Sequence, residues 1–291
     1  MSRAMSTLSG KHVLITGGNT GIGKATAIGL ARLGAAVTIT SRDPAKGEAA
    51  AADIRRLAGN EGISVLQLDL ASLTDVRRSA ADALARLPRL DVLINNAGLI
   101  LGDRSETVDG FETTFGVNHL GHFLLTNLLL ARLKESAPAR IVNLASGAHR
   151  AAYKGLDFDD LQARRSYSGF LVYARSKLAN ILFTIELAER LRGSGVTVNA
   201  VHPGFVRSDF AADGDSPLIN LFYKVTKPFA LTVEQGARTS IHVASAPELA
   251  DVTGQYFERG KAVRPSRHAR DRDAALRLWE VSERLTGLAG S

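Results

Sequence analysis

The sequence predicts an α/β fold: one doubly wound parallel sheet with helices on both faces. Short apolar runs rich in β-branched residues alternate with longer segments whose apolar residues recur at helical spacing. This alternation favours right-handed β-α-β crossovers, which make neighbouring strands parallel. The strand-like runs are apolar almost throughout, as expected for strands covered on both faces. No repeat or low-complexity linker divides the 291 residues, so we predict a single domain over residues 1–291.

The bounds of the predicted strands and helices follow from the spacing of apolar residues along the sequence. Six short runs rich in Val, Ile, Leu and Thr are predicted as strands, at residues 12–16, 36–40, 64–68, 91–95, 140–144 and 196–201. Five longer segments with apolar residues three and four positions apart are predicted as helices, at residues 22–33, 46–57, 73–87, 111–135 and 169–192. A further helix is predicted close to the C-terminal end.

Composition excludes several kinds of chemistry. The chain has no cysteine, which rules out disulfides, thiolate metal sites and cysteine nucleophiles. The first eleven residues contain no apolar run of the kind found in signal peptides. No segment reaches the roughly 18 apolar residues of a membrane-spanning helix. We therefore expect a soluble, cytoplasmic protein without a membrane anchor.

The net charge of +7 is partly local. A basic C-terminal extension at residues 258–291 carries a run of cations before the last helix, namely Arg259, Lys261, Arg264, Arg267, Arg270 and Arg272. Such a run can contact nucleic acid or an anionic membrane, but no aromatic stacking pattern accompanies it. We favour a solvated face that attracts a polyanionic cofactor, and we predict no nucleic-acid partner.

A glycine-rich turn separates the first strand from the first helix. Glycines at this place permit a tight turn, bring backbone N–H groups close to a pyrophosphate and open onto a positive helix N-terminus. The pattern therefore predicts a Rossmann-type dinucleotide site. Its candidate cofactor-binding residues are Gly17, Asn19, Thr20, Gly21, Ile22 and Gly23.

The end of the second strand bears on the choice of cofactor. NAD-binding enzymes usually place an acidic residue here to accept a hydrogen bond from the ribose 2′-hydroxyl. This chain has the neutral Ser41 followed by Arg42, whose guanidinium can bind a 2′-phosphate. If the strand ends later, Asp43 is the acidic residue at its end and could accept the hydrogen bond from the ribose 2′-hydroxyl. We favour NADP(H), with NAD(H) as the alternative.

Tyr173 and Lys177 are the candidate catalytic pair. Residues four apart share a helix face, so phenol and ammonium can point into one cleft. A free phenol has a pKa of about 10, and a nearby positive charge favours its ionised form. Ser146, at the C-terminal end of a predicted strand, can hydrogen-bond the substrate oxygen. The alternatives without a catalytic role are a Tyr–Lys pair on the exposed face of a helix and a serine that caps a helix.

Together these motifs resemble the short-chain dehydrogenases/reductases over about residues 11–257. The spacing Gly-x3-Gly-x-Gly and Tyr-x3-Lys, with a serine upstream, is typical of that family. Three longer segments, residues 16–25, 109–124 and 176–183, resemble its retinol dehydrogenase branch, which includes WW-domain-containing oxidoreductases and protochlorophyllide reductases. Ala145 replaces a serine common in relatives. The 27-residue gap between Ser146 and Tyr173 is shared by retinol dehydrogenase relatives.

The resemblance implies further site residues. An asparagine at the position of Asn118 distorts its helix and holds a water that relays protons to the lysine. Asp69 contacts adenine, with Leu70 beside it. The remaining candidates for cofactor contacts follow the fourth and sixth predicted strands: Asn95, Ala97, Gly98, Pro203, Gly204, Val206 and Ser208.

Two features have competing interpretations. His119 and His122 are spaced as in some metal sites, but no third ligand is evident, so we interpret them as core histidines or as residues that support the site residues, and we predict no metal. The apolar segment at residues 209–231 is either a substrate lid or ordinary core packing.

The sequence thus predicts an NADP(H)-dependent oxidoreductase that interconverts a carbonyl and an alcohol on a small hydrophobic molecule, with Tyr173 as the acid/base. The alternative is a non-catalytic NADP(H)-binding regulatory protein. The sequence leaves open whether the chain forms a homo-oligomer.

Overall fold

Strand β1 (His12–Ile15) lies inside an eight-stranded sheet in the computed structural model, which describes residues 8–206 and 231–288. The strand order is β3-β2-β1-β4-β5-β6-β7-β8. Every neighbouring pair is parallel except β7 and β8, which are antiparallel. The predicted parallel α/β sheet is therefore confirmed.

The bounds within the described residues are as follows. The other strands are β2 (Ala36–Ser41), β3 (Ile63–Gln67), β4 (Val92–Asn95), β5 (Ala139–Leu144), β6 (Val196–His202), β7 (Tyr256–Glu258) and β8 (Lys261–Ala262). The main helices are α1 (Gly21–Arg32), α2 (Pro44–Ala58), α3 (Leu73–Arg86), α4 (Gly121–Glu135), α5 (Gly169–Arg190), α6 (Val233–Ser245) and α7 (Arg272–Thr286).

Helices cover both faces of the sheet. Alternate residues of β1 point to opposite faces, so Val13 and Ile15 pack with α1, α2 and α6, whereas Leu14 packs with α3, α4 and α5. Both layers are built from fully buried aliphatic side chains. This two-sided burial explains why the strands are apolar almost throughout.

Local sequence fixes several helix ends. Asp43 accepts hydrogen bonds from the backbone of Ala45 and Lys46 and so caps α2, whose first residue is Pro44. Thr232 and Gln235 form a reciprocal capping box at the start of α6. Helix α1 differs, because Thr20 precedes it without a side-chain cap and its first turn holds no acidic residue.

The long helix predicted at residues 111–135 is interrupted. A short helical turn (Thr113–Phe115) leads into a π-helical turn (Gly116–Leu120), and α4 begins only at Gly121. The carboxylate of Glu112 caps the short turn by accepting from the backbone of Thr114 and Phe115. π-helical turns within helices often occur at functional sites.

The C-terminal helix α7 packs across α5. Trp279 lies edge-on to Phe123 of α4 with ring centroids 4.9 Å apart, and it stacks on Phe183 of α5 at 5.9 Å. His119 in the π turn lies 2.8 Å from the hydroxyl of Ser282. Helix α7 therefore covers the aromatic groups that support the π turn.

The strand order reverses between β1 and β4. The chain runs outward from β1 to β3 on one side and then crosses to β4 on the other. In open α/β sheets such a reversal opens a crevice at the carboxyl ends of the strands, where ligands bind. The predicted site residues gather at this edge.

Candidate active site

The glycine turn after β1 is folded tightly against itself. Gly17 has a φ of +63°, a conformation that favours glycine. A Cβ on Gly23 would lie 2.2 Å from the carbonyl oxygen of Gly17. Because α1 starts here without a side-chain cap, its first backbone N–H groups are left for an anion. These features fit the pyrophosphate of a dinucleotide.

Two side chains join this turn to the segment after β4. The amide of Asn96 donates to the carbonyl oxygens of Thr16 and Gly17 at 2.8 and 3.2 Å. The hydroxyl of Thr16 accepts from the backbone N–H groups of Asn96 and Ala97 at 2.8 and 3.0 Å. The two turns on either side of the crevice are thus held in one arrangement.

Strand β2 ends at Ser41, one residue later than predicted. The Ser41 hydroxyl donates to the carbonyl of Asp43 at 2.8 Å, and the Asp43 carboxylate is engaged in capping α2. Arg42 is exposed, and within the described residues its guanidinium has no ion-pair partner. The guanidinium is therefore the charged group offered at this strand end.

Three residues predicted to contact the cofactor have side chains that already interact with other parts of the protein. The carboxylate of Asp69 accepts from the backbone of Ala71 at 2.9 Å, and Leu70 packs in the core. The side chain of Asn95 is buried and donates to Thr126 and Asn143. For Leu70 and Asn95, only the backbone is available to a ligand in the crevice.

Lys177 and Tyr173 lie on the same face of α5. The Lys177 ammonium is 5.6 Å from the centroid of the Tyr173 ring, and it donates to the carbonyl of Leu144 at the end of β5 over 3.1 Å. Lys177 is only 3% exposed. Burial lowers the pKa of this ammonium to about 8, so it stays mostly protonated at pH 7.

Asn118 is the centre of the π turn and is fully buried. Its side chain accepts from the N–H of Leu99 at 2.8 Å and donates to the carbonyl of Leu99 at 2.9 Å. It also donates to the hydroxyl of Ser176 at 3.0 Å, next to Lys177. A Cβ on Gly98 would lie 3.2 Å from Asn118 Oδ1 and 3.3 Å from Lys177 Nζ. Gly98 thus lies directly against both groups.

Ser146 follows β5 by two residues and is half-buried. Its hydroxyl accepts from the N–H of Ala148 at 3.1 Å and so caps a short 3-10 helix (Gly147–Ala151). The capping interaction uses an oxygen lone pair and leaves the hydroxyl proton for another acceptor. The cap and a contact to a substrate oxygen are therefore compatible.

A sequence profile described as short chain dehydrogenase matches residues 11–158 and 161–217. The chain belongs to this family. Mouse retinol dehydrogenase 12 is 50% identical over 97% of this chain and 88% of its own length. Human retinol dehydrogenase 13 is 48% identical over 97% of this chain and 86% of its own length. The protein is therefore an oxidoreductase of the retinol dehydrogenase-like branch, as the sequence motifs predict.

Solved structures agree with this assignment. A protein from Mycobacterium paratuberculosis, described only as putative and uncharacterized, has a TM-score of 0.78 and 39% identity, covering 98% of this chain and 96% of its own. The Pseudomonas aeruginosa RhlG/NADP active-site complex has a TM-score of 0.69 and 29% identity, covering 86% of this chain and 95% of its own. The second of these structural neighbours is described as a complex with NADP.

The loop after β6 borders the same edge of the sheet. Pro203 and Gly204 follow the strand directly, and Val206 forms an isolated parallel bridge with Leu231. Ser208 and residues 209–230 of the segment predicted as a substrate lid lie outside the described residues. Within the described residues, no helix combines the length and apolarity needed to cross a bilayer.

Both histidines near the π turn are buried. Burial lowers the pKa of His119 to about 4 and that of His122 to about 3, so both are neutral over the usual pH range. The two rings point to different neighbours. His119 contacts Ser282 of α7, whereas His122 contacts Thr16 at the end of β1.

Sequence reasoning missed several supporting residues. Thr16 ends the first predicted strand, and Asn96 lies between the predicted cofactor contacts Asn95 and Ala97. The roles of their side chains depend on contacts across the crevice. Asn180 donates to the same Leu144 carbonyl as Lys177. Its position three residues after Lys177, on an adjacent part of the helix face, is the signal that could have identified it.

Proposed function

We propose that this oxidoreductase uses NADP(H) to interconvert a carbonyl and an alcohol on a small hydrophobic molecule, with Tyr173 as the acid/base. The observation that carries the proposal is the buried Lys177 ammonium 5.6 Å from the Tyr173 ring, which within the described residues has no carboxylate paired with it. Such a charge favours the ionised form of a neighbouring phenol.

Tyr173, Ser146 and Lys177 each have a separate role in the proposed reaction. The chemistry that NADPH would supply when bound is a hydride for the carbonyl carbon. Tyr173 gives its hydroxyl proton to the carbonyl oxygen as that oxygen gains negative charge, which completes the alcohol. Ser146 donates a hydrogen bond to the same oxygen and holds it in place. Lys177 stabilises the tyrosinate that remains, and the reverse sequence oxidises an alcohol.

The preference for NADP(H) rests on the end of β2. The Arg42 guanidinium is exposed, while the Asp43 carboxylate caps α2. A 2′-phosphate gains a charge-assisted contact from Arg42. A ribose 2′-hydroxyl needs an acidic acceptor, and Asp43 is engaged elsewhere.

The substrate class rests on the relatives and on the lid segment. The curated relatives are named for retinol, an apolar alcohol. Residues 209–231 of this chain are rich in apolar side chains. We therefore propose an apolar aldehyde, ketone or alcohol, without singling out retinol, because specificity resides in the site and not in the fold.

The test is oxidation of NADPH, with NADH in parallel, by purified protein and a panel of aromatic, aliphatic and isoprenoid aldehydes and ketones. NADPH-selective turnover that disappears in Tyr173→Phe is expected. NADPH binding without turnover on any member of the panel would contradict the catalytic proposal and favour a regulatory NADP(H)-binding protein. Faster turnover with NADH would contradict the cofactor assignment alone.

A further inference from the structure

One buried imidazole joins the two halves of the site. His122, in the first turn of α4, lies between the hydroxyl of Thr16 and the backbone carbonyl of Asn118. Its Nε2 is 2.8 Å from Thr16 Oγ1, and its Nδ1 is 3.2 Å from Asn118 O. Thr16 opens the glycine turn, and Asn118 is the centre of the π turn.

The direction of these hydrogen bonds follows from their partners. A carbonyl oxygen only accepts, so Nδ1 of His122 carries the ring proton and donates to Asn118. The ring is neutral, so Nε2 is left as an acceptor for the hydroxyl proton of Thr16, which it receives over 2.8 Å, whereas the carbonyl of Ile94, the other acceptor near that hydroxyl, is 3.4 Å away. The Thr16 oxygen in turn accepts from the N–H groups of Asn96 and Ala97.

These bonds form a single chain with one direction. It runs from the backbone after β4 through Thr16 and His122 to the carbonyl of Asn118. Buried hydrogen bonds in series polarise one another, so each fixes the geometry of the next. The far end of the chain is the main-chain carbonyl of Asn118, the residue whose side-chain oxygen lies, like the Lys177 ammonium, against Gly98.

We propose that His122 is a positioning residue that fixes the Asn118 backbone relative to the glycine turn, and that this coupling aligns the Lys177 end of the site with the bound cofactor. The inference rests on the proposed function, since it concerns the alignment of that same site. Within the described residues His122 has no hydrogen bond to the ammonium of Lys177, whose charge acts on it through space and adds to the lowering of the His122 pKa.

The competing explanation is that His122 only fills space in the core. His119 provides the matched comparison, because it is equally buried, three residues earlier, and also lies 2.8 Å from one hydroxyl. Its partner is Ser282 of α7, and the Phe115, Phe123 and Phe183 rings surround it. Loss of His119 therefore removes similar packing and its polar contacts with Ser282 and Asn180, none of which reaches the glycine turn.

The experiment compares His122→Leu, His122→Gln and His119→Leu in the full chain. Each variant is measured for kcat with the best carbonyl from the panel, for the Kd of NADPH by fluorescence titration, and for thermal stability. His122→Leu removes both hydrogen bonds, whereas His122→Gln keeps one donor and one acceptor. If His122→Leu does not fold, His122→Phe keeps an aromatic ring without nitrogens and takes its place.

We expect His122→Leu to lower kcat about tenfold and to raise the Kd of NADPH about threefold, the effect of one or two lost hydrogen bonds. His122→Gln recovers most of both values. His119→Leu is expected to lose comparable thermal stability but to change kcat and the Kd of NADPH less than His122→Leu does, since its bond to Ser282 lies outside the chain of bonds.

Equal changes in kcat and Kd for His122→Leu and His119→Leu would overturn the inference, as would a His122→Gln variant no better than His122→Leu. A wild-type protein that binds NADPH but reduces no carbonyl contradicts the proposed function instead. The NADPH Kd values then still decide whether His122 positions the glycine turn.

Discussion

The ammonium of Lys177 and the side-chain amide of Asn180 donate to the same oxygen, the main-chain carbonyl of Leu144, each over 3.1 Å. The carbonyl therefore keeps a donor if the lysine is removed. The ammonium itself is buried, and that burial lowers its pKa from 10.5 to about 8. Lys177 thus combines a proposed catalytic role with a cost to folding.

Lys177→Met is expected to stabilise the protein while abolishing turnover. The lowered pKa corresponds to a penalty of about 3 kcal/mol in the free energy of unfolding when both states are protonated, and lost packing and hydrogen bonding reduce the gain to about 1–2 kcal/mol. Chemical denaturation at pH 7 measures it. The matched control is Lys24→Met, which removes a partly exposed ion pair with Asp53 and gains nothing.

The gain from Lys177→Met depends on pH in a defined direction. Below about pH 8, the lysine is charged in both the folded and the unfolded wild type, and the full penalty is present. As pH rises through about 8, the folded state loses the proton first, so wild-type stability improves until the unfolded lysine also titrates. The difference between variant and wild type should therefore shrink above pH 8. A difference that grows with pH would contradict the burial of a charged Lys177.

Tyr173→Phe is expected to lower kcat by at least about a hundredfold, the usual contribution of a general acid. The Kd of NADPH should change little, because the ring and its contact with Lys177 remain. Steady-state kinetics and a fluorescence titration measure the two effects. Tyr153→Phe is the control, since that tyrosine is 70% exposed and lacks a lysine four residues later. Equal turnover in the two variants would disprove the assignment of Tyr173.

Arg42→Gln should weaken NADPH binding about tenfold or more and leave NADH binding nearly unchanged. The reason is the loss of a charge-assisted bond to the 2′-phosphate, which NADH lacks. Isothermal titration with each cofactor gives the two constants. Arg56→Gln removes an equal charge from the exposed face of α2 and controls for long-range attraction. If both variants weaken NADPH equally, Arg42 acts only through its general charge.

Gly23→Ala should prevent cofactor binding and cost about 1–3 kcal/mol of stability, as overpacking does. The new methyl group would lie 2.2 Å from the carbonyl of Gly17 and 2.5 Å from the Asn96 amide. The first of these atoms is backbone, and the Asn96 amide is bonded to the carbonyls of Thr16 and Gly17, so neither can move without breaking the contacts between the two turns. Gly10→Ala is the comparison, because its φ of +74° imposes strain but no atom lies within 4 Å. Unimpaired NADPH binding in Gly23→Ala would show that the turn can open.

Much of the fold is predictable from the sequence, because its information is local. Strand β1 and helix α2 are recognised from apolar spacing, although α2 begins at Pro44, two residues before the predicted start, because Asp43 caps it there. The missed helix α6 carried a local signal as well, since Thr232 and Gln235 have the spacing of a capping box. The missed strands β7 and β8 are three and two residues long, too short to show any period.

The π turn at Asn118, by contrast, cannot be predicted from local sequence. Apolar spacing continues through residues 111–135, so a straight helix is the natural prediction. The π turn is instead held by bonds from Asn118 to Leu99 and Ser176, which are 19 and 58 positions away. Contacts at such separations have no local trace. Only the family resemblance pointed to a distortion here, and the roles of Thr16 and His122 were out of reach for the same reason.

The position of α7 has a consequence for how the protein is made. The glycine turn emerges early during synthesis, and the Tyr173 helix follows, but Trp279 and Ser282 leave the ribosome later than either. Until then, Phe123 and Phe183 lack their aromatic cover, and nascent chains with such exposed rings are prone to association. A message truncated before residue 272 would therefore encode every proposed catalytic residue and still yield a substrate for chaperones and proteases.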